Sequence, residues 1–152
     1  MNISTKIKYK EENDMETIKN VWFADGRIFL RTTTNKVYSR PLEAFPVLKD
    51  ADDIERNNYE IGVLGDDIHW EKLDEDIHIS SFYDHTEPDY DNEIARIFNC
   101  FPQLNVSEVA RSMGINKSLL SKYIYGIKKP SEARKQQIKA ALHELGKELL
   151  AV

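Results

Sequence analysis

Apolar and polar positions change period along this chain, from about two in the first half to about 3.6 in the last third, which predicts strands first and helices afterwards. Ile18 to Ala24 and Arg27 to Thr33 are rich in β-formers and flank Asp25-Gly26. Asp-Gly between two such runs predicts a hairpin, because a type I′ turn needs positive φ at both central residues. Asn35 marks a second turn into Lys36 to Arg40, so a three-stranded meander is expected. Pro41 is expected to open a helix with Leu42, Phe45 and Leu48 on its apolar face, limited by Pro46. Asp52 to Asn57 reads as a further short helix. Tyr59 to Leu64, Ile68 to Trp70 and Ile77 to Phe82 read as strands, with a turn at Gly65-Asp66-Asp67. This half is therefore expected to be α+β, a small antiparallel sheet with one or two helices.

Asp84 to Tyr90 is polar, contains Pro88 and has no apolar period, as a linker would. The expected division is an acidic α+β domain at 1–85, a linker at 86–91 and an all-α domain at 92–152. Asn92 to Phe101 carries Ile94, Ile97, Phe98 and Phe101 on one helical face. Asn105 then caps a helix, and Glu108 three residues on completes a capping-box pattern. Val106, Val109, Ala110 and Met113 form its inward face, and Gly114 ends it. Ile115 plugs the turn. Asn116 caps a second helix, Lys117 to Tyr125, with Leu120, Tyr123 and Ile124 turned inward. Gly126 and Pro130 end it. A last helix, Glu132 to Leu149, carries Ile138, Leu142, Leu145 and Leu149 in one stripe, with Ala141 beside them. That stripe closes the domain core or, at its far end near Leu149 and Leu150, contributes to a dimer contact.

Charge sharpens the division. The 152-residue chain has a net charge of −5, yet residues 1–88 hold 11 Lys and Arg against 19 Asp and Glu, a net of −8. Residues 89–152 hold 10 against 7, a net of +3, and the window 105–139 holds 8 against 2, a net of +6. A locally basic helical domain suits a polyanion even in an acidic chain. Helix, glycine turn, helix is also a DNA-reading geometry: the short turn fixes an angle at which the second helix enters the major groove while the first braces across the backbone. The small Ala110 lets the two helices approach closely.

At these residues the chain resembles the Xre-type, lambda-repressor-like helix-turn-helix family. Val109-Ala110, Gly114-Ile115-Asn116, Ser118, Ser121 and Gly126 through Lys128-Lys129-Pro130 occupy the places of the family pattern, over about 45 residues including flanking helices. Val106 stands where the family often has Gln, Ile124 where it has an acidic residue, and Leu119 where it has a small polar one. The resemblance implies a bacterial transcriptional regulator that binds double-stranded DNA, with an N-terminal sensing or interaction domain and a homodimeric assembly. By position, Asn116, Lys117, Ser118, Ser121 and Lys122 face outward from the second helix. Lys suits guanine O6 or N7, Asn suits an adenine edge, and Leu119 suits a thymine methyl. Lys128, Lys129, Arg134 and Lys135 are expected on phosphates, where they add affinity and salt dependence without reading sequence.

The first half, over about residues 15–83, resembles a small bacterial family of uncharacterised domains. The resemblance rests on the Asp25-Gly26 hairpin, Pro41-Leu42, Phe45-Pro46, and Ile68-His69-Trp70 followed by Leu73-Asp74-Glu75-Asp76. Some members look like partners of small toxins. The alternative function is therefore an antitoxin-like interaction module gripping a basic partner protein, with DNA binding autoregulatory or lost.

Other chemistry is thin. His69 with Glu71 or Asp74 matches no defensible metal-ligand spacing, so the acidic run reads as solvated turns with Trp70 and Leu73 as anchors. No phosphate-cradling glycine loop or nucleophile arrangement is present. Neither a cofactor, a metal nor an enzyme activity is expected. The single cysteine, Cys100, is expected to be a buried, inert thiol. No apolar run approaches the ~20 residues that cross a bilayer, and Met1 to Lys10 lacks the apolar core of a signal peptide. A cytoplasmic location is expected.

Overall fold

The computed structural model describes residues 16–152. Met1 to Lys10, read above as no signal peptide, lies outside the described residues. The chain divides into two compact units, 16–42 with 47–85, and 86–152 with the short piece 43–46.

The first unit is small antiparallel sheets with short helices. β1 (Ile18–Ala24), β2 (Arg27–Thr32) and β3 (Val37–Pro41) form a meander in that order. Asp25 and Gly26 take φ of 53° and 70°, the positive values that the tight turn demands. Asn35, at φ 65°, makes the second turn. Period-two alternation turns Val21, Ile28 and Leu30 into the core. On the other face Trp22 and Phe29, directly paired, stack at 5.4 Å.

Proline placement departs from expectation. Pro41 ends edge strand β3 rather than opening a helix, and Leu42–Ala44 is a single 3-10 turn. It is Pro46 that starts α1 (Pro46–Asp50), where a missing N–H costs nothing. Leu48 is fully buried beneath it. α2 (Asp53–Asn57) is closed by a reciprocal capping box: Asp52 accepts the Glu55 amide at 2.7 Å, and Glu55 accepts the Asp52 amide at 3.0 Å.

The second sheet, in order β4-β5-β6, contains β4 (Glu60–Ile61), β5 (Asp67–Trp70) and β6 (Glu75–His78). The strand expected over Tyr59 to Leu64 shrinks to two residues. Beyond it the chain turns, leaving Val63 and Leu64 in water at 105% and 79% exposure. The strand expected over Ile77 to Phe82 also ends early. The His78 ring accepts the Ser80 amide at 3.1 Å, which caps a 3-10 turn over Ile79–Tyr83. Trp70 is the buried anchor of the acidic run, its indole N–H donating to the Arg56 carbonyl at 2.8 Å, whereas Leu73 is only half-buried. His69 Nδ1 lies 2.6 Å from Asp76 Oδ1 across the β5–β6 pair. That hydrogen bond raises the histidine pKa above its ordinary value. No group of three or more metal-ligating side chains occurs among the described residues.

A buried polar cluster ties the first unit together. The Glu16 carboxylate, 4% exposed, accepts from Tyr38 at 3.1 Å and Tyr83 at 3.0 Å. Burial, then the bonds to Glu16, push both phenols above their ordinary range. Arg40 is buried on β3 and donates to the Asp84 carbonyl at 2.6 Å.

The second unit is all helical: α3 (Glu93–Cys100), α4 (Val106–Ser112), α5 (Lys117–Tyr125) and α6 (Glu132–Leu150). Ile94 and Phe98 of α3, Val109 and Ala110 of α4, Leu120 and Tyr123 of α5, and Ile138 of α6 make one core. Each fully buried Leu or Ile there contributes about 1.5–3 kcal/mol. Two expectations fail on α3. Phe101 lies just beyond the helix as its C-cap and is 58% exposed. Cys100, two positions past Phe98 and so on the opposite side of the helix, is exposed rather than buried. No helix of the described residues is long and apolar enough to cross a membrane.

Candidate nucleic-acid interface

The geometry of α4 and α5 is set by their ends. Asn105 starts α4 by accepting the Glu108 amide on Oδ1 at 3.2 Å. The Glu108 side chain does not complete the expected capping box; it turns forward to the Arg111 guanidinium, whose Nε lies at 3.0 Å. Gly114 closes the helix at φ 70°. Its amide donates to Arg111 and the Ile115 amide to Ala110, each at 3.1 Å, the crossed pair of a Schellman closure. Ile115 is thereby turned onto the core. Ala110, 0% exposed, sits inside the domain core; a larger side chain there would push its neighbours apart.

Asn116 starts α5, with Oδ1 accepting the Leu119 amide at 2.7 Å. Gly126 ends it in the left-handed conformation at φ 72°. A Cβ at Gly126 would stand 1.9 Å from the Asp89 carbonyl oxygen. The residues beside Asp89, expected as linker, are fastened here. The Asp89 amide donates to Tyr125 at 2.9 Å, and the Asn92 side-chain amide donates to Ile124 at 3.2 Å. The Tyr90 ring lies 5.8 Å from that of Tyr125. These contacts hold the C-terminal end of α5 from below.

The ten residues singled out from the sequence separate into three kinds. Lys117, Lys128 and Lys129 are exposed, and Ser118 and Lys122 are half-buried on the outward side of α5. Arg134 and Lys135 are half-buried at the start of α6, with Lys135 paired to Glu132 at 3.1 Å. Three depart from expectation. Ser121 is 4% exposed, turned into the domain with its neighbour Leu120 rather than outward. Leu119 is half-buried and packs in part against the core, so it is not fully exposed as the reading assumed. Asn116 is exposed, but its carbonyl oxygen already accepts the cap amide, which fixes the side chain over the helix end and competes with a bidentate adenine contact. The outward surface of α5 reduces to Lys117, Ser118 and Lys122. Ser118 and Lys122 are one helical turn apart, and no carboxylate lies on the helix.

Sequence reasoning missed the Lys139–Glu93 bridge, at 2.6 Å, which ties α6 to the start of α3. The Lys139 ammonium holds the Glu93 carboxyl below its ordinary range. Their spacing of 46 positions left no local signal.

Fold and site together define a unit of small antiparallel sheets with short helices, followed by an all-helical unit in which a glycine turn joins the two middle helices, α4 and α5. Residues 18–88 match a family model described as Protein of unknown function (DUF2442). No helix-turn-helix family model matches the chain, and no curated protein matches it. Among solved structures, "Putative DNA Binding Protein NE0471" of Nitrosomonas europaea is similar at 13% identity over 82% of this chain and 84% of that one, with a TM-score of 0.34. A TM-score that low carries no structural weight.

Proposed function

We propose that the helical unit binds double-stranded DNA with α5 in the major groove, and that the chain is a transcriptional regulator of the lambda-repressor-like kind. The observation that carries this reading is the α4–Gly114–α5 geometry combined with its charge. Two capped helices are joined by a glycine turn, and the second leaves Lys117 exposed and Ser118 and Lys122 part-exposed, with the exposed Lys128 and Lys129 just beyond. Lysines of α5 donate to guanine edges or to phosphate, and those of the following loop to phosphate. Lys128, Lys129, Arg134 and Lys135 supply the salt-dependent part of the affinity. The role is binding, and no reaction is assigned.

Duplex affinity of the full chain, measured by fluorescence anisotropy across salt concentration, tests this. With about four phosphates neutralised, log K is expected to fall with a slope near −4 against log salt. Binding to duplex DNA no better than that of an unrelated acidic protein at low salt would end the reading.

The first unit favours a second role beside this one. Ile54, Val63 and Leu64 are 83%, 105% and 79% exposed in a unit rich in carboxylates. Exposed aliphatic side chains amid negative charge suit a basic protein partner, as an antitoxin-like module would need.

A further inference from the structure

We propose that Asp89 is a built-in counter-charge that loosens the grip of Lys128 and Lys129 on a phosphate backbone. The inference rests on the reading that these lysines meet phosphate, and it adds a residue that sets how tightly they do so. The seven residues 87–93 hold four carboxylates and no Lys or Arg, a negative run that leads directly into a basic helical unit. Two of the four are neutralised where they stand. Asp91 pairs with Arg96 at 2.9 Å, and Glu93 with Lys139 at 2.6 Å. Asp89 Oδ1 instead accepts the Asp91 amide at 3.0 Å, which orients the carboxylate without cancelling its charge.

The backbone fixes where that charge sits. The Asp89 amide donates to the Tyr125 carbonyl at 2.9 Å. The Asp89 carbonyl accepts the Asn92 side-chain amide at 2.7 Å, and it lies against Gly126 where any Cβ would stand. Asp89 cannot swing away from the end of α5 without breaking these contacts. With Glu93 it lines a hollow of about 230 Å³ that Lys128, Lys129 and Lys135 also line. Glu93 and Lys135 already have partners there, in Lys139 and Glu132. Asp89 is left facing the exposed Lys128 and Lys129. A hollow of this volume is roughly 8 Å across, inside the Debye length of about 10 Å at 0.1 M salt, so a phosphate drawn to either ammonium group feels the carboxylate. The repulsion acts on backbone charge and is the same for every base sequence. It leaves a larger share of binding to the base edges that α5 reads.

Fluorescence anisotropy of the full chain with two labelled duplexes, one of A·T and one of G·C pairs, tests the proposal. Asp89→Asn keeps the Oδ1 acceptor and is expected to bind both duplexes about threefold more tightly near ~0.02 M salt, with the gain fading by about 0.3 M and the melting temperature unchanged. Asp89→Ser, which also offers an acceptor to the Asp91 amide, is expected to match it. In a chain carrying Lys128→Gln and Lys129→Gln the gain is expected to vanish, because the two sites act through each other. An unchanged or weaker affinity in Asp89→Asn overturns the proposal. So does a gain that survives loss of both lysines, or an equal gain from Glu148→Gln at the far end of α6, which would report net charge alone. Elution from heparin, a polyanion with no groove to read, separates this outcome from the DNA reading. A chain that ignores duplex yet needs more salt to elute as Asp89→Asn ends the DNA reading and keeps the counter-charge. Equal elution of the two chains ends the counter-charge and leaves the DNA reading to the duplex result.

Discussion

Replacing Gly126 with Ala is expected to destabilise the helical unit by about 3 kcal/mol. Two terms add. A non-glycine residue in the left-handed region costs roughly 1–2 kcal/mol, and the new methyl would meet the Asp89 backbone at 1.9 Å, where no flexible side chain can give way. Displacing that backbone also strains the Asp89–Tyr125 hydrogen bond. Gly114 supplies the control. It has nearly the same φ, 70° against 72°, but a Cβ there meets nothing within 4 Å. Gly114→Ala is expected to cost roughly 1 kcal/mol. Thermal denaturation of both variants checks the difference: at about 4–8 °C per kcal/mol for a unit of this size, Gly126→Ala melts well below Gly114→Ala. Equal midpoints would show that the segment at Asp89 does not brace α5.

Combining Lys117→Ala with Lys122→Ala is expected to weaken duplex binding roughly 100-fold, since each contact to a base edge or phosphate contributes about 1–3 kcal/mol. Where either lysine holds a phosphate, the salt slope should shrink by about one unit. The melting temperature should change little, because Lys117 is exposed and Lys122 lies on the outward side of α5. Ser121→Lys provides the contrast. Ser121 is buried, so a charge placed there should unfold the unit rather than alter its DNA contacts. Unchanged affinity in the double lysine variant would remove α5 from the binding surface.

Much of this was legible in the sequence wherever a local rule had a single physical solution. Asp25-Gly26 fixed a hairpin because few other dipeptides tolerate two positive φ values. Gly114 and Gly126 marked helix ends for the same reason, and the Asn caps at 105 and 116 fell where the apolar period began. Misreadings arose where two rules compete. Pro41 satisfies the end of an edge strand as well as a helix start, and only pairing with Arg27 decided between them. Val63 and Leu64 prolonged an apolar run that the chain abandons at its turn. On α5, helical spacing alone placed Ser121 with the outward residues. The packing of α5 beside Ala110 instead turned Ser121 inward and Leu119 half inward, and that depends on a contact between helices that no local spacing records. Phe101 was misplaced because α3 ends before it, and Cys100 because the helical period turns it away from the face of Phe98.

Selection of bound duplexes from a random library by the full chain tests the DNA-reading role of α5 most directly. Enrichment of a short motif, lost when Lys117 and Lys122 are both alanine, is the predicted result. If the motif occurs as two inverted copies, their spacing reports how two recognition helices are held apart. A library that emerges unenriched, or one enriched equally by the double alanine variant, contradicts the assignment.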